Sequence, residues 1–317
     1  MANQETKTHS YSLVNRGLRM ILQDENAAQI RGFECAFTLT FLLWMGRCFL
    51  TWEDWLTNRG FHLHTIELMS MGYPNPIDPM GGWQVLLFAL TIVLGAMLLL
   101  WPLRWHTTKA KWPRRTGLIL LTLSALAAQK VDPMASFTLN KLYVGLFTLL
   151  ALAPGIQICP LTGELRQPMI VRKVMQSTLV LQYFAAGLAK MDGDWLHSPD
   201  ILWEHAQGVY RTELAAWALR TMPRWTWTAQ QYASLFFEVG APVLFCLARL
   251  RPLAFTLGIG FHLMIALMMK DLIFFSAQMW SFYALFVTAD QWRWLGERAT
   301  KIWRFFYRPS KVTDAVA

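Results

Sequence analysis

Apolar stretches about as long as a membrane is thick recur along the whole chain. A helix needs roughly 20 apolar residues to cross the hydrocarbon layer of a bilayer. Eight stretches are candidates, of which the third is short and the fifth is interrupted by polar residues: Phe33 to Thr51, Gly82 to Leu103, Thr116 to Gln129, Phe137 to Ile158, Met169 to Lys190, Ala229 to Ala248, Pro252 to Met269 and Leu272 to Thr288. The sequence therefore predicts an all-α fold, a polytopic integral membrane helical bundle with about eight transmembrane helices.

The composition excludes a soluble globular domain. Hydrophobic residues make up 55% of the chain and charged residues 15%, whereas a soluble domain carries about 25% charged residues. Too few polar groups are present to coat a surface that faces water. The chain also has 16 tryptophans, a residue that favours the boundary between membrane and water.

Positive charge is concentrated in short stretches between the apolar segments. The net charge is +9, and the stretch from Arg104 to Arg115 holds five Lys or Arg and no acidic residue. Cytoplasmic loops carry such an excess of cations, so this pattern predicts cytoplasmic N- and C-termini. The lipid bilayer, and not nucleic acid, is the expected partner of these cations.

The chain is predicted to form a single transmembrane domain over residues 1–317. It divides into a cytoplasmic interfacial N-terminal segment at 1–32, a helical bundle at 33–288 and a basic cytoplasmic tail at 289–317. Helices that lie along the membrane surface are predicted for Ser12 to Leu22, Pro199 to Arg220 and Trp292 to Tyr307. The four cysteines are scattered without a Cys-x-x-Cys pair, so the pattern predicts neither a metal site nor a disulfide framework.

Two ionisable residues lie in the middle of predicted spanning helices. Glu238 is within SLFFEVGAPVLF and His262 is within GIGFHLMIALMM. Because such residues are costly in lipid, both are expected to face the interior of the bundle and to have partners there. A functional site and a structural hydrogen bond between helices both remain open as interpretations.

Four polar residues lie closer to the ends of predicted helices. Glu34 and Arg47 are near opposite ends of the first helix, where they are expected to cap the helix or to extend toward the interface. Asn140 and Lys141 are near the outer start of the fourth helix, and the lysine is long enough to extend in the same way.

The predicted fifth helix ends in a cluster of chemically active residues. Lys190 emerges at the outer boundary after a run of small residues, and Asp192 and Asp194 follow it directly. A lysine partly removed from water is a candidate base, and the two carboxylates would tune its charge. The alternative is a lysine that only anchors the helix end at the interface.

The same stretch, YFAAGLAKMDGDWL, resembles the signature of the HTTM (horizontally transferred transmembrane domain) family. The family pattern is an aromatic-rich helix with a small-residue run, then Gly, two residues, Lys, a nearby acidic residue and Trp. SLFFEVGAPVLFCLARLRPLAFTLGIGFHLMIAL resembles the family's acidic helix, turn and histidine helix, and DLIFFSAQMWSFYALF resembles the helix that follows. The resemblance is strongest from Gln176 to Phe286.

The best-known member of this family is the vitamin K-dependent gamma-glutamyl carboxylase, in which the corresponding lysine is the base coupled to oxidation of the quinone cofactor. The resemblance, which extends to short bacterial relatives, implies a carboxylase-like enzyme or a maturation factor in a bacterial inner membrane that acts on an exported peptide or protein. Its implied catalytic residues are Lys190, His262 and Glu238, with Asp192, Asp194, Trp195, Tyr183, Gln182, Asn140 and Lys141 in support. At the Asn140-Lys141 neighbourhood the chain has lysine where the carboxylase has histidine.

Other functions are compatible with the same residues. The chain could be a non-enzymatic subunit or assembly factor of a larger complex, with Lys190 acting as a clamp between helices. A transporter is the third interpretation, with Glu238 and His262 on a proton path. The sequence lacks the paired Gly/Pro-broken helices that are typical of inverted-repeat carriers.

Overall fold

A computed structural model describes residues 22–60, 62–63, 65–72, 76–100, 111–131, 138–159 and 162–306. Thirteen α-helices lie in this part of the chain: α1 Ala28–Phe49, α2 Trp52–Leu56, α3 Thr65–Ser70, α4 Gly82–Leu100, α5 Lys111–Val131, α6 Thr138–Leu152, α7 Met169–Asp192, α8 Ile201–His205, α9 Glu213–Thr221, α10 Arg224–Cys246, α11 Arg251–Met268, α12 Ile273–Ser281 and α13 Ala289–Phe306. The fold is all-α, as predicted.

Each of the eight predicted spanning stretches coincides with a helix, namely α1, α4, α5, α6, α7, α10, α11 or α12. By length and composition, α4 and α11 are the two described helices that are long and apolar enough to cross a membrane. Two further apolar helices, Leu139–Leu152 within α6 and Ile273–Phe286, are shorter. Charged residues interrupt several of the other helices. The number of spans therefore stays a prediction.

Several local predictions differ from the structure. The α6 helix ends at Leu152, and α12 gives way to a 3₁₀ helix at Phe282–Phe286. The surface helix predicted from Pro199 to Arg220 is two short helices, α8 and α9, while the predicted tail helix is confirmed as α13. The predicted helix at Ser12 to Leu22 lies outside the described residues, apart from its last residue.

A small antiparallel sheet, which the sequence did not indicate, joins the segment before α1 to the connection between α6 and α7. Its strands are β1 Asp24–Asn26, β2 Gln157–Ile158 and β3 Leu165–Pro168, in the order β1-β3-β2. The sheet lies beside the start of α1 and the start of α7, because the amide of Ala27 bonds to the Leu165 carbonyl and that of Met169 to the Gln23 carbonyl. We call this end of the bundle the sheet end.

The long helices alternate in direction between the sheet end and the opposite end. The end of α4 and the start of α5 lie at the sheet end, where Arg31 of α1 donates to the carbonyl of Leu99. At the opposite end, which we call the lysine end, Arg47 at the end of α1 lies 3.4 Å from Asp271 in the turn between α11 and α12. This alternation agrees with the up-and-down order that the charge pattern predicts.

An aromatic core holds the bundle together. Phe33, Phe37 and Phe41 follow one face of α1 and are almost completely buried. They contact Tyr143 and Phe147 of α6 and Phe282, with ring centroids 4.9 to 6.0 Å apart. A second contact joins α7 to α10, and α11 packs against both α10 and α12. These last four helices position the candidate site.

Candidate functional site

An ion pair between α7 and α10 is the centre of the site at the lysine end. The amine of Lys190 lies 2.5 Å from a carboxylate oxygen of Glu238, with 22% and 5% of the two side chains exposed. Gly187, one turn before Lys190, lets the helices approach, because a Cβ there would lie 2.9 Å from the backbone nitrogen of Val239. The small-residue run thus brings the lysine to its partner.

Two aromatic rings cover the amine of Lys190. The nitrogen lies 4.6 Å from the ring centroid of Trp195 and 5.4 Å from that of Phe261. Trp195 belongs to a 3₁₀ helix, Asp194–Leu196, that follows α7. Such contacts favour a cation and shield it from water on that side.

Gln231 of α10 fixes the segment that carries Trp195. This completely buried side chain donates to the carbonyls of Trp195 and Ser198, both at 2.8 Å, and accepts from the amide of Leu202 at 3.2 Å. This role could not be predicted from the sequence, because a glutamine near a helix end resembles an ordinary polar surface residue. Its partners lie about thirty positions away in the chain.

A chain of three polar side chains lies behind the ion pair. The hydroxyl of Tyr183 is 2.8 Å from Nε2 of His262 and 3.2 Å from the hydroxyl of Tyr283. His262 is 1% exposed, and its Nδ1 has no hydrogen-bond partner among the described residues. The two buried residues singled out by the sequence therefore have different partners: Glu238 contacts Lys190, and His262 contacts Tyr183.

The other candidate residues lie away from this arrangement or at its edge. Asp192 and Asp194 are exposed, and Gln182 is half-buried. Asn140 accepts a hydrogen bond from the indole of Trp44 on α1 at 3.0 Å, and Lys141 is exposed. The structure thus brings together Lys190, Glu238 and Trp195, with Tyr183 and His262 behind them, while the acidic partner of the lysine comes from another helix.

A cavity of about 300 Å³ lies between α10 and α11, next to the ion pair. It is lined mainly by apolar side chains, among them Trp227, Phe237 and Met264, together with the two rings that cover Lys190. The indole nitrogen of Trp227, which is 2% exposed, has no hydrogen-bond partner among the described residues. Neither Lys190 nor Glu238 lines this cavity.

The cavity does not fit a quinone as the reaction partner of Lys190. Trp195 and Phe261 line it and also contact the amine, so their rings lie between the amine and the space in which a quinone ring would sit. We therefore derive no chemical step through a quinone. Within the described residues, no group of three or more His, Cys, Asp or Glu is placed to hold a metal ion.

A second buried charge cluster lies at the sheet end. Glu34 is completely buried, and its carboxylate accepts from Arg31 at 2.7 Å and from Arg114 of α5. The prediction that Glu34 caps the helix or extends toward the interface is wrong, because two arginines compensate its charge inside the bundle. Arg47, in contrast, is 37% exposed at its end of α1.

The fold and the site define an all-helical protein with a lysine–glutamate pair beside an apolar cavity. The model of the HTTM domain family matches residues 160–292, less than half of the chain. The predicted resemblance is thereby confirmed for the part of the chain that holds Tyr183, Lys190, Glu238 and His262, and the protein carries an HTTM domain, which is a membrane domain. Comparison with curated proteins and with solved structures found no match.

Proposed function

We propose that this protein is a multi-pass membrane protein that takes part in the maturation of an exported peptide or protein, with Lys190 as the proton acceptor of its site. The HTTM domain supports the membrane class and the family. The Lys190–Glu238 pair is the observation that carries the catalytic assignment, because it places a partly exposed amine against a buried carboxylate.

The surface of α4 supports insertion into a bilayer. Leu86, Leu90 and Met97 expose 61%, 55% and 56% of their surface, and contiguous apolar area of this kind is rare on proteins that face water. Eight spans, with the cation-rich sheet end in the bacterial cytoplasm together with both termini, account for these exposed faces and for the charge pattern. Lys190 then faces the non-cytoplasmic side, where an exported substrate is available.

The ion pair suits proton transfer. In a site with little water, the charged pair and the neutral pair of amine and carboxylic acid differ less in free energy than they do in water, because burial penalises both charges. The rings of Trp195 and Phe261 favour the ammonium form, so the reactive form is the fraction of molecules in which Glu238 has taken up the ammonium proton and left a neutral amine at Lys190. That amine can accept a proton from a substrate that reaches its exposed side.

The catalytic role of Lys190 can be tested on the polypeptides that the cell secretes. Intact masses of secreted polypeptides are compared between cells with and without the protein, and a polypeptide whose mass depends on the protein becomes the reporter. Lys190→Ala is expected to lower its modification by about 10²- to 10⁴-fold, which is the usual contribution of a general base. The membrane level of the variant, measured by immunoblot, is expected to stay near that of the wild type.

Lys270→Ala is the matched control, since Lys270 is an exposed lysine in the turn after α11. It is expected to leave the modification unchanged. Lys190→Ala/Glu238→Gln is included as a second variant, because it removes both charges and leaves no carboxylate without its partner. Modification at the wild-type level in either Lys190 variant would exclude the catalytic assignment.

A structural clamp within a larger complex is the second candidate function. It is favoured by the position of the ion pair, which joins α7 to α10 beside the close contact at Gly187. The exchange Lys190→Glu/Glu238→Lys separates the two functions, because it keeps one positive and one negative charge at the contact. Recovery of both the folded amount and the modification would indicate a clamp, whereas recovery of the folded amount alone would indicate a catalytic lysine.

A further inference from the structure

The cavity between α10 and α11 runs along the two helices as a groove. From Trp227 to Phe237 its wall on α10 spans ten residues, a length of about 15 Å at 1.5 Å per residue. Leu257, Phe261 and Met264 form the opposite wall on α11. No Asp, Glu, Lys or Arg among the described residues lines it, and His205 is the ionisable side chain in its wall, so the groove suits an uncharged and elongated group.

The groove opens sideways, through the face of the bundle that the apolar helices present outward. Gly260 of α11 and Ala233 of α10 line the groove and are exposed. The flanking side chains Phe236 and Leu263 are 63% and 44% exposed. α11 is one of the two described helices that are apolar enough to cross a membrane, so the phase that meets this opening in a bilayer is lipid hydrocarbon.

A buried polar group without a partner lies at one end of the groove. Trp227 is in the first turn of α10, at the lysine end, and its buried indole N–H has no partner among the described residues. A buried donor without an acceptor costs free energy. Tryptophan at this position in a span lies near the level of the lipid headgroups, which is also the level of the ester carbonyls of a glycerophospholipid.

We propose that this groove binds one acyl chain of a bilayer glycerophospholipid, with the ester carbonyl accepting a hydrogen bond from the Trp227 indole. The chain runs along α10 and α11 and ends between Phe237 and Leu257. It packs against Trp195 and Phe261, the two rings that contact the amine of Lys190. Occupancy of the groove thus positions the cover of the lysine site, a role that goes beyond the proposed function.

The occupant can be identified by photo-crosslinking in lipid nanodiscs. The probe is a phosphatidylcholine with a diazirine at the end of one acyl chain, and the adducts are located by peptide mass spectrometry. The expected adducts are at Phe237 or Leu257, at the inner end of the groove. Adducts in the wild type at the flanking Phe236 and Leu263 alone would overturn the proposal.

A variant with a larger side chain in the groove is compared with the wild type. Gly260→Leu places a side chain in the groove without a clash, because a Cβ at this position meets no atom within 4 Å. In this variant the adducts at Phe237 and Leu257 are expected to be lost, while those at Phe236 persist. Gly145→Leu on α6, where a Cβ also meets nothing within 4 Å, is the control and keeps all adducts. Inner adducts that survive in Gly260→Leu would overturn the proposal.

The hydrogen bond to the ester is tested separately. By native mass spectrometry, the wild type is expected to retain a diacyl phosphatidylcholine in preference to its dialkyl ether analogue, and Trp227→Phe is expected to lose this preference. Equal retention of the two lipids by the wild type would overturn the ester contact. Inner adducts from a prenyl-chain diazirine probe, with none from the acyl probe, would identify an isoprenoid occupant and overturn the lipid assignment.

Discussion

Two buried charge clusters in the described part of the protein are built in opposite ways. At the sheet end, Glu34 is enclosed by Arg31 and Arg114, and Arg31 also donates to the carbonyl of Leu99. At the lysine end, Glu238 has one cationic partner, Lys190, whose side chain remains 22% exposed. The first cluster is closed and saturated, whereas the second is open on one side.

Behind the second cluster, Nδ1 of His262 has no hydrogen-bond partner among the described residues. Buried polar atoms in native proteins are nearly always paired, and those that are not call for an explanation such as a ligand or a catalytic role. The comparison teaches that a buried charge in this bundle is structural when its neighbours saturate it, and a candidate for function when they do not.

Glu34→Gln is expected to have the largest effect on stability. It leaves Arg31 and Arg114 in the interior without a counter-charge, and breaking a buried pair in this way costs about 3–5 kcal/mol. The folded amount and the thermal unfolding midpoint in detergent are the measurements. Glu164→Gln is the control, because its pair with Arg166 is exposed and contributes at most about 1 kcal/mol. Equal losses in the two variants would contradict the structural role of the sheet-end cluster.

Gly258→Ala is expected to have the next largest effect. A Cβ at Gly258 would overlap the Tyr283 hydroxyl and lie 2.9 Å from a ring carbon of Phe237. The forced displacement costs up to about 3 kcal/mol and separates Tyr283 from Tyr183. Gly260→Ala, two residues further along α11, meets no atom within 4 Å and is the matched control. An equal decrease of the thermal unfolding midpoint in both variants would show that the close contact at Gly258 is not the cause.

Tyr183→Phe removes a single oxygen atom, the Tyr183 hydroxyl, from the group of polar side chains behind the Lys190–Glu238 pair. The hydroxyl serves both His262 and Tyr283, so its loss leaves buried polar atoms unpaired, at a cost of about 1–2 kcal/mol.

Tyr143→Phe is the control for this variant. Its hydroxyl donates to Thr40, whose own hydroxyl still donates to the carbonyl of Phe37. It is therefore expected to cost about 1 kcal/mol or less. A greater loss of stability in Tyr143→Phe than in Tyr183→Phe would contradict the greater importance assigned to the Tyr183 hydroxyl.

Much of the fold follows from the sequence because spanning helices are local structures with strong signals. The apolar stretches predicted the existence of eight helices, and the cost of burying a charge predicted that Glu238 and His262 face inward. The hydrogen-bond partners of these two residues could not be predicted, because Glu238 contacts a lysine 48 positions away and His262 a tyrosine 79 positions away. The same holds for Glu34 and Arg114, 80 positions apart, and for the sheet, whose three short strands carry almost no pattern of their own.

The smallest effect is expected for Asp192→Asn and Asp194→Asn, the acidic residues nearest to Lys190 in the sequence. Both side chains are exposed, and the carboxylate in contact with the amine is that of Glu238, on another helix. Each substitution is expected to change the free energy of unfolding by less than about 0.5 kcal/mol, as surface substitutions usually do. Modification of the exported reporter is expected to stay near the wild-type level in both, while Glu238→Gln lowers it strongly. A loss in Asp192→Asn or Asp194→Asn as large as that in Glu238→Gln would mean that proximity in the sequence, and not the contact between α7 and α10, determines which carboxylate the lysine uses.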